Sequence, residues 1–139
     1  MSKLNLRVVS QERELLRESV DSVTAQTTEG EITILPGHIP LFTKLGTGEL
    51  VYRMGSGENS IVISRGFLTV APNNEITIMA DTAVHAREIS VQKAEEAIKA
   101  AEATLQSSQD QRERLMAEAS LRRALLELRI AERTKRTRI

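Results

Sequence analysis

Few residues in this chain have the type and spacing for chemistry. His38 and His85 are the only histidines among 139 residues. No H-x-x-H or H-x-x-x-H pair sets two metal ligands on one helix face. Asp81, His85 and Ser90 hold the side-chain types of a nucleophilic triad, but no nucleophile turn or oxyanion loop accompanies them. Gly46-Thr47-Gly48 and Gly55-Ser56-Gly57 are too short to cradle a phosphate, and no G-x-x-x-x-G-K-[ST] loop occurs. There is no cysteine, which excludes disulfide staples and thiolate metal or redox sites. A catalytic role is not expected, nor a metal or a resident cofactor.

The most informative stretch is built for contact. Glu31-Ile32-Thr33-Ile34 alternates polar and apolar side chains, the pattern of a strand with one buried face. Leu35-Pro36-Gly37 then stops it, because proline donates nothing to a sheet ladder and Pro-Gly suits a tight turn. Pro40 holds His38-Ile39 extended. The expected product is a stiff exposed corner carrying His38, beside an acidic corner at Glu29-Gly30-Glu31.

Two kinds of element surround this corner. Over residues 1–87 the patterning has period two. Leu4, Leu6 and Val8 alternate with polar residues, and further strands are expected at Val20–Gln26, Ile32–Leu35, Gly48–Met54, Ser60–Ser64, Gly66–Ala71 and Glu75–Ala80. Turn signals at Gly55–Asn59 and Pro72–Asn74 separate them. Short strands at this spacing argue for an antiparallel sandwich or barrel. From Ser90 the period changes. Val91, Ala94, Ile98, Ala101 and Leu105 form one helical stripe, with Ser90 as N-cap. Asp110 and Glu113 form a capping-box pattern that starts a second helix, where Ala117, Leu121, Ala124, Leu128 and Ala131 continue the stripe. The two helices are predicted to run roughly 25 and 38 Å and to pair antiparallel across a short link. Their seams are rich in alanine, which lets helices approach closely but buries little apolar area. Such a hairpin, weakly held, is a plausible switch. Leu125, Leu126 and Ile130 fall off the main row and need other cover.

Composition narrows the class. Hydrophobic residues make up 40% of the chain, but Phe42, Tyr52 and Phe67 are the only aromatics, so an aliphatic core is expected. The zero net charge hides a gradient. Residues 1–87 hold eight Lys/Arg against ten Asp/Glu, whereas residues 120–139 hold seven (Arg122, Arg123, Arg129, Arg133, Lys135, Arg136, Arg138) against Glu127 and Glu132. A basic tail suits an acidic protein surface or simply a helix C-terminus. Nucleic acid is disfavoured, because no aromatics accompany these cations. No secretory signal and no long apolar run is present, so the chain is not expected to span a membrane.

The run Glu29-Gly30-Glu31-Ile32-Thr33-Ile34-Leu35-Pro36-Gly37-His38-Ile39-Pro40-Leu41 resembles the signature of the epsilon subunit of F-type ATP synthases. Asn5–Ser10 is similar to that family's opening strand, Ser64–Val70 to its G-G-F-L-x-V segment and Ile76–Ala83 to its V-T-I-L-A-D-x-A segment. The order and spacing match over essentially the whole chain. Thr33 and Arg65 stand where the family usually has glycine.

The resemblance implies an α+β protein: an N-terminal antiparallel β-sandwich of about ten strands over residues 1–87, then a C-terminal antiparallel two-helix hairpin over 88–139. It implies a non-catalytic subunit of the central stalk that couples the gamma subunit to the ring of c subunits in a proton- or sodium-translocating ATP synthase. It places Glu29 and Glu31 at the c-ring and His38 toward gamma. The hairpin is implied to inhibit ATP hydrolysis by contacting the alpha/beta catalytic subunits, with Ser108, Arg112, Arg114, Arg122, Arg123 and Arg129 toward beta. Some members bind ATP through an [IL]-D-x-x-R-A motif. Ile89-Ser90-Val91-Gln92-Lys93-Ala94 matches it at Ile89 and Ala94, with serine for the acid and Lys93 for the arginine, while Arg123 matches one arginine of the second helix. Lysine lacks the planar fork of arginine, and Glu127 repels phosphate, so ATP is expected to be a weak regulatory ligand at most. The implied location is the cytoplasmic face of the cell membrane, peripheral, through the complex. The competing reading is a non-rotary β-sandwich adaptor with a helical interaction arm.

Overall fold

The computed structural model describes residues 2–137, with side chains described as far as Thr134. Two compact units result, Met1–His85 and Ala86–Ile139.

Among the described residues the first unit contains eight strands: β1 (Leu4–Ser10), β2 (Glu14–Val20), β3 (Ser22–Thr27), β4 (Gly30–Ile34), β5 (Leu41–Leu45), β6 (Gly48–Met54), β7 (Gly57–Ala71) and β8 (Glu75–His85). The expectation of about ten is explained by the last two. The second half of β7 pairs with β5 and with the first half of β8, which in turn pairs with β1. The first half of β7 pairs with β6 and with the end of β8. Each long strand therefore serves both layers of the sandwich. One layer runs β2-β1-β8-β7-β5 and the other β4-β3-β6-β7-β8.

The crossing point is Arg65-Gly66. Arg65 has φ 48°, in the left-handed region, at the position where glycine was noted as usual. Its guanidinium faces Asp81 at 3.3 Å across the strand pair. A Cβ on Gly66 would overlap the Met79 carbonyl oxygen and stand 2.8 Å from Ala80 Cα. Only glycine lets the two backbones approach this closely.

The aliphatic core forms as the alternation requires. Leu4, Leu6 and Val8 from β1, Leu68 and Val70 from β7, and Ile76 and Ile78 from β8 are all buried, together with Val20, Val23, Ile34, Leu50 and Ile61. Tyr52 is the one aromatic among them; Phe42 and Phe67 stay outside. No charged or polar residue is buried among the described residues.

The second unit begins with a turn of 3₁₀ helix at Ala86–Glu88, followed by α1 (Val91–Ser107) and α2 (Gln111–Thr137). Ser90 caps α1, its hydroxyl accepting from the Lys93 N–H at 3.2 Å. The alanine seam is closed: Ala94 and Ala101 on α1 and Ala117 and Ala124 on α2 are buried. Ile130 is buried too, whereas Leu125 is half exposed. The capping at α2 differs from the simple box. Asp110 Oδ1 accepts from the Arg112 N–H at 2.9 Å, as an N-cap should. Glu113, however, accepts from the Ser108 hydroxyl at 2.7 Å, and that hydroxyl in turn accepts from the Asp110 N–H at 3.2 Å. A serine is thus inserted between the two members of the box.

Candidate functional site

Two surfaces of the sandwich carry the residues singled out from the sequence, and they do not lie side by side. The hairpin β3–β4 turns at Thr28-Glu29. The Thr27 hydroxyl donates to the Gly30 carbonyl at 2.6 Å and accepts from the Glu29 N–H at 3.1 Å, which leaves the Glu29 carboxylate at the exposed tip. Glu31 lies one residue into β4, opposite Gln26, whose Nε2 donates to its Oε2 at 2.8 Å. No ion pair neutralises either carboxylate among the described residues, so the tip is a net acidic projection.

His38 lies past the other end of β4. The five residues of that strand span roughly 16 Å. This corrects the expectation of adjacent corners: the strand that makes both also holds them apart. At the far end Leu35-Pro36-Gly37-His38 closes a turn, with the His38 N–H donating to the Leu35 carbonyl at 3.1 Å. Gly37 has φ 87°, the left-handed conformation a type II turn demands at its third position, and Pro36 fits the second. His38 Nδ1 donates to the Ile39 carbonyl at 2.7 Å. A carbonyl can only accept, so Nδ1 carries a proton and Nε2 is the free ring nitrogen.

The structure adds residues that the sequence reading passed over. Phe42, Phe67 and Met79 are 66%, 44% and 61% exposed. Phe67 lies directly across from Met79 and stacks on Phe42, with centroids 5.5 Å apart. This makes an apolar strip across β5, β7 and β8 that begins four residues after His38. Leu35 and Ile39, on either side of His38, are also exposed. Alternation held the signal, because Phe67 is out of phase with the buried Leu68 and Val70. Its pairing with Phe42 and Met79 needed the register.

On the helices the six contact candidates divide by what already engages them. Arg114 Nη1 donates to the Leu105 carbonyl and to the Ser108 carbonyl, so it fastens the end of α1 to the start of α2. The Ser108 hydroxyl is spent within the turn. Arg123 Nε pairs with Glu127 Oε2 at 2.9 Å. Arg112, Arg122 and Arg129 are exposed and make no ion pair among the described residues. Arg122 and Arg129 stand seven residues apart on one helix, about 10 Å along one face. The side chains of Lys135 and Arg136, and Arg138 altogether, lie outside the described residues.

The degenerate nucleotide motif falls at the start of α1. Ile89 is half-buried, Lys93 exposed and Ala94 buried. The Ser90 hydroxyl is occupied in capping, and the Arg123 charge is partnered by Glu127. No group of three or more acidic or histidine side chains could hold a metal among the described residues, and none of their helices is long and apolar enough to cross a membrane.

Comparison with known proteins fits both units. The family described as ATP synthase delta/epsilon chain, beta-sandwich domain, matches residues 3–86, and the corresponding long alpha-helix domain matches residues 87–132. This chain belongs to the ATP synthase delta/epsilon family. Among relatives of this family, the ATP synthase epsilon chain of Dehalococcoides mccartyi is 44% identical over 138 residues, covering 98% of this chain and 97% of its own. The ATP synthase epsilon chain of Syntrophobacter fumaroxidans is 41% identical over 132 residues, covering 95% and 98%. Among solved structures, a chain of the Euglena gracilis mitochondrial ATP synthase, from its OSCP/F1/c-ring assembly, matches with TM-score 0.74 and 31% identity, covering 87% of this chain and 76% of that one. A chain from the central stalk and c-ring of the Tetrahymena thermophila mitochondrial ATP synthase shares the fold, with TM-score 0.66 and 15% identity, covering 94% and 97%.

Proposed function

We propose that this chain is the epsilon-type rotor subunit of a proton- or sodium-translocating ATP synthase. It is not itself catalytic. It couples the gamma subunit to the c-ring, and its helices restrain ATP hydrolysis by the alpha/beta catalytic subunits. The observation that carries the coupling role is the separation of two dissimilar surfaces on one rigid sandwich. A coupling element must hold two partners at once, and a strand between the acidic tip and the His38 corner provides that spacing. Glu29 and Glu31 meet the polar loops of the c subunits. His38, with the Phe42–Phe67–Met79 strip beyond it, meets gamma, where burial of those exposed rings supplies the affinity. The location follows from the partners: peripheral, on the cytoplasmic face, held by the complex.

The hairpin acts as the regulatory arm. In its inhibitory state it extends along gamma, carrying Arg112, Arg122 and Arg129 to acidic segments of beta. Ser108, Arg114 and Arg123 contribute to that surface once their present partners are exchanged. The engaged Arg123 and the Ser90 hydroxyl, occupied as the helix cap, leave Ile89, Lys93 and Ala94 a poor phosphate site, so ATP is a weak regulatory ligand at most.

The test is ATP hydrolysis by the cognate catalytic complex prepared without this chain, titrated with the full-length protein and with a form ending at Arg87. Both forms are expected to bind, and only the full-length form to inhibit. Equal inhibition by both would remove the regulatory role from the helices. Failure of both to bind would remove the stalk assignment.

A further inference from the structure

The His38 corner is stiff, but stiffness does not set its angle to the sandwich. Pro36 and Pro40 restrict φ locally. The turn itself uses the His38 N–H, which leaves the Gly37 N–H without a partner inside it. On the side where a Cβ would stand, Gly37 faces open space, with no atom within 4 Å, and Leu35 and Ile39 are exposed while Pro36 and His38 are partly buried. A long-range hydrogen bond ties the corner down. The Gly37 N–H donates to Asn74 Oδ1 at 2.7 Å, across 37 residues of sequence.

Asn74 sits in the turn between β7 and β8 and is anchored on its other side. Its carbonyl accepts from the Asn5 N–H at 2.8 Å, at the start of β1. It holds φ 63°, and its neighbour Asn73 holds φ 68°. Asparagine is suited to this post because it tolerates the left-handed region and carries a short amide acceptor. One residue therefore joins the β4–β5 corner, the β7–β8 turn and the first strand.

We propose that Asn74 is a positioning residue for docking: its side-chain amide clamps the Pro36–Ile39 corner to the sandwich and sets the direction in which His38 Nε2 and Ile39 meet the partner. This rests on the docking role given above. The partner surface it serves is one that accepts an imidazole nitrogen flanked by exposed aliphatic side chains.

The clamp separates cleanly from fold. Asn74→Gly keeps the left-handed backbone and the bond from Asn5, and removes only the side chain. Asn73→Gly costs the same backbone entropy and leaves the clamp intact. Asn74→Asp retains an acceptor. Two readouts apply to the full-length chain: hydrogen exchange at the Gly37 amide, and affinity for the cognate catalytic complex prepared without this subunit. In Asn74→Gly, Gly37 exchange is expected to rise about tenfold and affinity to fall about five- to tenfold, with Asn73→Gly and Asn74→Asp within about twofold of wild type. Equal Gly37 exchange in Asn74→Gly and Asn73→Gly would overturn the clamp. Faster exchange with unchanged affinity would overturn its role in docking while the docking role stands. Failure of the wild type to bind would instead overturn the docking role itself, and the role of Asn74 with it.

Discussion

At Gly66 the two long strands pass so closely that a single methyl group decides whether the corner forms. Gly66→Ala should cost about 3 kcal/mol, at the upper end of overpacking penalties, because the blocking atoms are backbone and cannot turn aside. Urea denaturation would measure it, and a loss below about 1 kcal/mol would mean that β7 and β8 separate easily. Asp21 makes a different kind of local tie. Its carboxylate accepts from the Gly55 N–H at 2.7 Å and pairs with Lys3 at 3.1 Å, which pins the β6–β7 turn to the β2–β3 corner. The Gly55 bond first, and Lys3 second, hold its pKa below the ordinary carboxylate value. A lowered folded pKa contributes stability that is present above the unfolded value and is lost as pH falls through the folded one. Asp21→Asn should therefore lower the melting temperature near neutral pH, and the difference should shrink in the acid range. A gap that widened with acid would refute this sign. The sequence held the residue types for both sites. It did not hold the close approach at Gly66, which depends on which strand lies opposite.

Among the elements, β2 is the instructive case. Glu14-Leu15-Leu16-Arg17-Glu18 has charges at a spacing that suits a helix, and no strand was expected there. It pairs antiparallel with β1 as an edge strand, where Glu14 takes hydrogen bonds from Arg7 at 2.7 Å and from Arg17 at 2.9 Å. Pairing overrode local preference, and the charges suit an edge exposed to water. β5 is illegible in the sequence for a related reason: five residues after a proline carry little pattern of their own. The helices were legible because period 3.6 and the Ser90 cap are local signals. Their fastening was not. Arg114 reaches back to the Leu105 and Ser108 carbonyls, and no sequence rule pairs an arginine with those oxygens. Arg114→Ala should cost about 1–2 kcal/mol and speed hydrogen exchange at the Ser108 amide, which donates to Thr104. Unchanged exchange there would show that the alanine seam alone holds the turn. In the assembled complex the same substitution should favour hairpin opening.

For the whole molecule, the division of labour between two units sets the expected behaviour. The sandwich has its own aliphatic core and carries the proposed docking surfaces; the helices carry Arg112, Arg122 and Arg129, which are exposed and make no ion pair among the described residues. Arg122→Glu with Arg129→Glu should leave binding to the complex unchanged and weaken inhibition of hydrolysis about tenfold, most clearly at low ionic strength. Weakened binding with inhibition unchanged at saturation would place these arginines on the docking side instead. The chain by itself determined the succession of a strand-rich half and two helices, the burial of alternate aliphatic residues, the alanine seam and a tight turn at Pro36-Gly37, because each follows from neighbours within a few positions. It also carried the family signature. Only the tertiary structure decided that β7 and β8 serve both layers, that Phe42, Phe67 and Met79 share an exposed strip, and that Asn74 holds the Gly37 amide. The physical reason is the same in each case: these relations join residues far apart in sequence, and the choice of which strand or turn lies opposite, which no local pattern states, is what brings them together.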